Sequence, residues 1–202
     1  MSQHVVETLE QLQTLYGPVA EASIRKEVDH VHPLYRALIE ASPFAVLATV
    51  GPDGVDASPR GDPAGFVIVQ DDKTLLMPDR PGNNRIDSLR NIVNDPRVAL
   101  LFLIPGHGET LRVNGTASIS IEPELLDRCA MSGKRPRCVL IVHVRTVFFQ
   151  CARAIRRARL WDAPAARDVP SAGTILEALT GGGIEAGPYD EQLPLRQRAT
   201  LY

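Results

Sequence analysis

The sequence predicts a mainly β fold, a single antiparallel barrel with helices inserted between its strands and added at both ends. Three observations carry this reading. Six or seven short runs are either β-branched and apolar or strictly alternating, and turn residues separate them. Sixteen prolines and fifteen glycines supply those turns. Long helices do not alternate with the strands, as a doubly wound parallel sheet would require. The 202 residues suffice for one well-cored domain.

Taken in order, Leu9, Leu12 and Leu15 recur at helical spacing before a break at Gly17-Pro18, and a second short helix is expected to about Glu27. Pro33 suits the first turn of a helix through LYRALIEAS, which Pro43 ends. FAVLATV (Phe44 to Val50) and VDASPRGD flank the turn Gly51-Pro52-Asp53-Gly54. In the second strand Val55 and Ala57 share one face and Asp56, Ser58 and Arg60 the other. FVIVQ and TLLMP flank Asp71-Asp72-Lys73, and these four segments read as a meander. Ile86, Leu89 and Val93 mark the apolar face of the next helix, with Asn83 or Asn84 as its N-cap and Asn94-Asp95-Pro96 as its stop. VALLFLI (Val98 to Ile104) reads as a central strand. ETLRVNGTASIS alternates, a short helix opens at Glu122-Pro123, and a long strand runs from about Arg137 to Gln150. CARAIRRARLWD is a helical turn or two, and one further helix is expected after Ser171, followed by a polar end.

Composition narrows the function. A net charge of -2 rules out general polyanion binding, so an anion site must be local. No apolar run nears the ~20 residues of a membrane span. The N-terminus lacks the apolar core of a signal peptide, and Cys129, Cys138 and Cys151 have no C-x-x-C pairing, so a cytoplasmic protein with reduced thiols is expected. Neither G-x-G-x-x-G nor G-x-x-x-x-G-K-[ST] occurs.

The chemistry concentrates in MPDRPGNNRIDSLRNI, Met77 to Ile92. Arg80, Asn83, Asn84 and Arg85 lead into a helix N-terminus, which offers unpaired N–H groups and the positive end of the dipole. Guanidinium forks suit phosphate oxygens, so this loop is a candidate phosphate cradle beside Ser58 and Arg60; the alternative is a capped helix whose arginines pair with Asp79 and Asp87. Arg153, Arg156, Arg157 and Arg159 form a basic cluster before the sole tryptophan, Trp161. Without interleaved aromatics this is no nucleic-acid signature. His30 and His32 lie in a helical context that disfavours metal binding, and His143, in an apolar run, is expected to be buried.

The order ATVGPDGVDASPRGD, LLMPDRPGNNRIDSLRNIVNDPRVALLFLIPG, LRVNGTASI resembles the pyridoxamine 5′-phosphate oxidase-like family of FMN-binding split-barrel proteins, over about Phe44 to Asp162. The resemblance implies a six-stranded Greek-key split barrel at residues 43–162, an N-terminal helical extension at 1–42 and a C-terminal helix and tail at 163–202. It implies a cytoplasmic homodimer with FMN at the subunit interface. Asn83, Asn84, Arg85 and Ser88 map onto the phosphate site, and Ser58 and Arg60 onto the ring and ribityl chain. Met77, Pro78 and Asp79 stand behind them, and Arg80 leads into the phosphate loop. Arg153 and Trp161 are candidates for contact with the partner's cofactor, the alternatives being a solvated basic face for Arg153 and a core or interface anchor for Trp161. Arg60 is expected near N1 and C2=O, where a positive group stabilises reduced flavin.

One departure limits the inference. The founding oxidases carry an Arg-x-His motif where this chain reads ARLWD, so vitamin B6 oxidation is not carried over. A subgroup with an N-terminal helical extension is more similar. The expectation is an FMN-dependent oxidoreductase taking electrons from NAD(P)H or a small organic donor. The alternatives are a non-catalytic FMN- or haem-binding protein and a reductase using the deazaflavin F420.

Overall fold

Two features of the strands shape the fold: side chains alternate between faces, and the two edges of the sheet face each other. In the computed structural model, which describes residues 4–52, 54–162 and 168–202, the strands are β1 (Phe44–Gly51), β2 (Gly54–Gly61), β3 (Ile68–Val69), β4 (Thr74–Asp79), β5 (Arg97–Leu103), β6 (Thr110–Ser120) and β7 (Cys138–Gln150). They form one sheet in the order β2-β1-β5-β6-β7-β4-β3, every neighbouring pair antiparallel. Arg60 on the edge strand β2 forms an ion pair with Asp79 on β4, at the far side of that order. The sheet therefore curls until its two ends meet through side chains, which is the expected split barrel with a two-residue seventh strand.

Inward residues at every second position fill the barrel: Leu47, Leu100, Phe102, Leu111, Val113, Val142 and Leu75. Leu76 and Val139 point the other way and are covered by helix α5 (Pro123–Arg128) through Leu125 and Leu126, which explains why β4 is buried on both faces. Between Asn114 and Gly115 a bulge breaks the β6–β7 register, where the backbone oxygen of His143 would lie 2.0 Å from a Cβ on Gly115. Helix α3 (Pro33–Ala41) starts with His32 accepting from the Leu34 N–H and buries Ile39 in the core. The preceding helices α1 (Leu9–Leu15), capped by a Thr8–Gln11 box, and α2 (Glu21–Arg25) bury no residue.

Several expectations need correction. The first four strands are no meander: β1–β2 and β3–β4 are separate hairpins at opposite ends of the sheet. FVIVQ contributes only Ile68 and Val69 to the ladder. In helix α4 (Asp87–Asn94) the buried face is Ser88 and Ile92, with Leu89 against the core, while Ile86 and Val93 are exposed. Neither asparagine caps it; the N-cap is Ile86. His143 is exposed because it sits on the outward parity of β7. After α6 (Arg153–Ala158) and α7 (Ala172–Leu179), the polar end forms helix α8 (Ala186–Ala199), with Pro194 inside it. Asp53 of the predicted turn and residues 163–167, at the start of the expected C-terminal segment, lie outside the described residues.

Candidate functional site: a polar cavity at the split

The two strand ends that meet at the split enclose a cavity of about 570 Å³, bounded by β2, the end of β4 at Pro78 and Asp79, the loop from Arg80 to Ile86 and the first turn of α4. The alternation of β2 is inverted relative to an ordinary barrel strand. Val55 on its apolar face is 87% exposed, while Asp56, Ser58 and Arg60 turn toward the cavity. A strand that hides its polar face presents hydrogen-bonding groups to whatever fills the space.

Nine of the twelve predicted site residues line this cavity: Ser58, Arg60, Pro78, Asp79, Arg80, Asn83, Asn84, Arg85 and Ser88. Three do not. Met77 is fully buried in the barrel core, on the same face of β4 as Leu75. Arg153 lies on α6, away from the cavity of its own chain. The Trp161 indole Nε1 donates to the carbonyl of His107 at 2.7 Å and anchors the turn before β6.

Ion pairs partly neutralise the arginines. Arg60 Nη1 donates to Asp79 Oδ1 at 2.5 Å, with side chains only 17% and 14% exposed. Arg80 Nε meets Asp62 Oδ2 at 2.6 Å and its Nη1 donates to the Cys129 carbonyl at 2.8 Å, so most of this guanidinium is committed inside the protein. Arg85 Nε pairs with Asp87 at 2.8 Å in an exposed position, which raises the arginine pKa further. Asp79 and Asp87 are the acidic partners that the capped-helix alternative invokes, whereas the Asp62 partner of Arg80 was not foreseen. Among the buried donors of the described residues, Arg60 Nε has no hydrogen-bond partner. Buried donors of this kind are rare in native proteins.

The loop geometry explains why neither asparagine caps α4. Asn83 Oδ1 accepts from the Arg85 N–H at 3.1 Å, and Asn84 Oδ1 from Arg137 Nη1 at 2.8 Å. Both acceptors are spent before the helix begins. The backbone is left-handed at Asn84 (φ 62°) and at Ile86 (φ 52°), an uncommon conformation for a β-branched residue that costs roughly 1–3 kcal/mol. The result is a helix start with no side-chain cap, opening on the cavity.

Sequence reasoning missed Phe66, Arg137 and Cys138 in the lining. Cys138 is paired with Asp79 across β4 and β7, a long-range register that no local pattern reveals. Burial, with Asp79 adding to it, pushes the Cys138 thiol up to about 11, so it is a neutral part of the wall rather than a nucleophile. Asp56 was legible, since it shares the face of Ser58 and Arg60.

Comparison with solved structures finds HupZ of Group A Streptococcus, 24% identical, covering 57% of this chain and 90% of that one with a TM-score of 0.47. A HupZ variant is 21% identical, covering 59% and 99% with a TM-score of 0.49. General Stress Protein 26 from Bacillus anthracis is 21% identical, covering 56% and 88% with a TM-score of 0.39. Comparison with curated proteins finds no match. The family model described as pyridoxamine 5′-phosphate oxidase matches residues 31–151, which include every residue lining the cavity. That match takes in more than half of the chain, and the protein therefore belongs to the pyridoxamine 5′-phosphate oxidase family.

Proposed function

We propose that the cavity binds FMN and that the protein is an FMN-dependent oxidoreductase acting on a small substrate. The observation that carries this reading is the Arg60 Nε–H, buried in the cavity wall and without an acceptor. Other features of the site also fit an acceptor-rich ligand. The volume falls in the ~300–1,000 Å³ range of small-molecule sites. The inward face of β2 is polar, and the α4 N-terminus presents backbone donors without a side-chain cap.

In this reading Asn83, Asn84, Arg85 and Ser88 hold the phosphate with the amides of the first α4 turn. Arg85 supplies charge, and its exposed pair with Asp87 is weak enough to be exchanged for a phosphate. Ser58 and Arg60 face the flavin ring and ribityl chain. Asp79 fixes the guanidinium of Arg60 in the cavity wall through Nη1, leaving Nε without an acceptor. Arg80 is held by Asp62, and Pro78 shapes the wall. Bound FMN supplies hydride and electron transfer, which is why the site needs no nucleophile or acid-base pair of its own. A homodimer, in which Arg153 and Trp161 meet the partner's cavity, completes the proposal.

The test is spectroscopic. Protein incubated with FMN and desalted should retain paired bands near ~450 and ~370 nm, which bleach anaerobically with NADH or NADPH. Retained bands that do not bleach with any donor would leave a flavin carrier; loss of all flavin on desalting would reject the site.

A further inference from the structure

Helices α7 and α8 form a hairpin closed by its own hydrogen bonds: Asp190 Oδ1 accepts from the Gly173 N–H at 2.7 Å and Oδ2 from Ser171 Oγ at 2.5 Å. Among the described residues, the hydrogen bonds from 168–202 to the barrel are all made by Tyr202. Its phenol donates to Asp62 Oδ1 at 2.6 Å, and its carbonyl accepts from Lys134 Nζ at 2.7 Å. The Arg80 guanidinium lies 5.8 Å from the centre of its ring.

The target of the phenol gives these contacts their meaning. The Asp62 side chain is 1% exposed, and a buried carboxylate needs donors on both oxygens. Arg80 Nε serves Oδ2 and Tyr202 serves Oδ1. Asp62 in turn raises the pKa of the Tyr202 phenol, which stays protonated and able to donate. Arg80 lines the cavity three residues before the Asn83-Asn84 turn. Its Nη2 makes no hydrogen bond among the described residues, so it is the group through which Arg80 can meet an anion.

We propose that Tyr202 is a positioning residue for the cavity: by completing the shell of Asp62 it fixes Arg80 in the wall, and it ties the α7–α8 hairpin to the ligand site. The ligand would be the phosphorylated flavin, so this inference rests on the FMN reading. Coupling of this kind is reciprocal. A docked hairpin favours anion binding, and a bound anion favours docking of the hairpin.

The experiment compares wild type with Tyr202→Phe, which keeps the ring and removes the hydroxyl. Amide hydrogen exchange is measured without ligand, and FMN and riboflavin affinities by fluorescence titration. Tyr202→Phe should speed exchange across residues 80–88 and 171–199. It should weaken FMN about tenfold, the loss of one hydrogen bond to a charged group, and leave riboflavin, which has no phosphate, within about twofold. Unchanged exchange in both segments would overturn the proposal, whatever FMN does. Faster exchange with FMN affinity unchanged would overturn the positioning role, and equal losses for FMN and riboflavin would do the same. If wild type ignores FMN while Tyr202→Phe loosens both segments, the flavin reading falls and the Tyr202 clamp stands.

Discussion

Replacing Arg60 by Met tests the link between the fold and the site. The Arg60–Asp79 pair is 2.5 Å long with side chains 17% and 14% exposed, so removing the guanidinium strands a mostly buried carboxylate. Breaking a buried pair from one side costs ~3–5 kcal/mol, and the residual exposure places this case near ~3 kcal/mol. For a chain of this length each kcal/mol lowers the melting temperature by ~2–4 °C, giving a fall of about 6–12 °C. In the double variant Arg60→Met/Asp79→Leu, apolar groups replace both partners, and most of that loss should return. FMN binding should not recover. Losing a hydrogen bond from a charged donor costs ~1.5–3 kcal/mol, or roughly 10- to 150-fold in affinity. Thermal unfolding by circular dichroism and FMN titration on the four proteins of the cycle supply the numbers. A single variant within ~2 °C of wild type, or a double variant as unstable as the single, would refute the argument. A double variant that binds FMN like wild type would remove Arg60 from the site.

Other outcomes follow from the same geometry. Gly115→Ala places a Cβ 2.0 Å from the His143 backbone oxygen inside the β6–β7 ladder, so a loss of ~4 kcal/mol or failure to fold is expected; normal melting would show that the bulge relaxes freely. Of the three cysteines, only exposed Cys151 has its thiol pKa lowered, chiefly by the Arg153 backbone N–H, while burial raises Cys129 and Cys138. Native protein should therefore react with iodoacetamide at Cys151 first, and mass spectrometry placing the first label elsewhere would contradict this. Hydrogen bonds from Lys73 hold the Asp29 carboxyl at about 2, and those from Arg97 hold Asp95 at about 2. Because folding lowers both values, their contribution is present above ~3.9 and is lost as pH falls toward about 2. Carbon NMR titration should find these midpoints at low salt and see them rise in ~1 M salt; midpoints near ~3.9 at low salt would count against both pairs.

The fold was largely legible because strand parity and turn residues are local signals. FAVLATV, VALLFLI and the long strand through VHVRTVFF became β1, β5 and β7 almost as read. What failed depends on distant contacts. The hydrophobic spacing of Ile86, Leu89 and Val93 suggested one helix face, but docking against β1 and β6 buries Ser88 and Ile92 instead. FVIVQ reads as a full strand, yet only two residues find a partner because β3 is the sheet edge. Helix α8 was missed because a polar segment containing Pro194 lacks apolar periodicity; its packing partner is α7. In the site, Ser58, Arg60 and the Asn83–Ser88 loop were readable from face and helix-start chemistry. Arg137 and Cys138 came from β7 and its approach, which only the β4–β7 pairing brings to the cavity. Met77 was misplaced by one step of parity: it faces the core, and its neighbour Pro78 faces the cavity.

A crystal structure grown with saturating FMN would show whether the cavity takes the phosphate as proposed. Phosphate oxygens should lie against the first-turn amides of α4 and the Arg85 side chain, with an acceptor of the ligand on Arg60 Nε. FMN bound elsewhere on the chain, or a cavity that takes up only water while Arg85 stays on Asp87, would contradict the proposal.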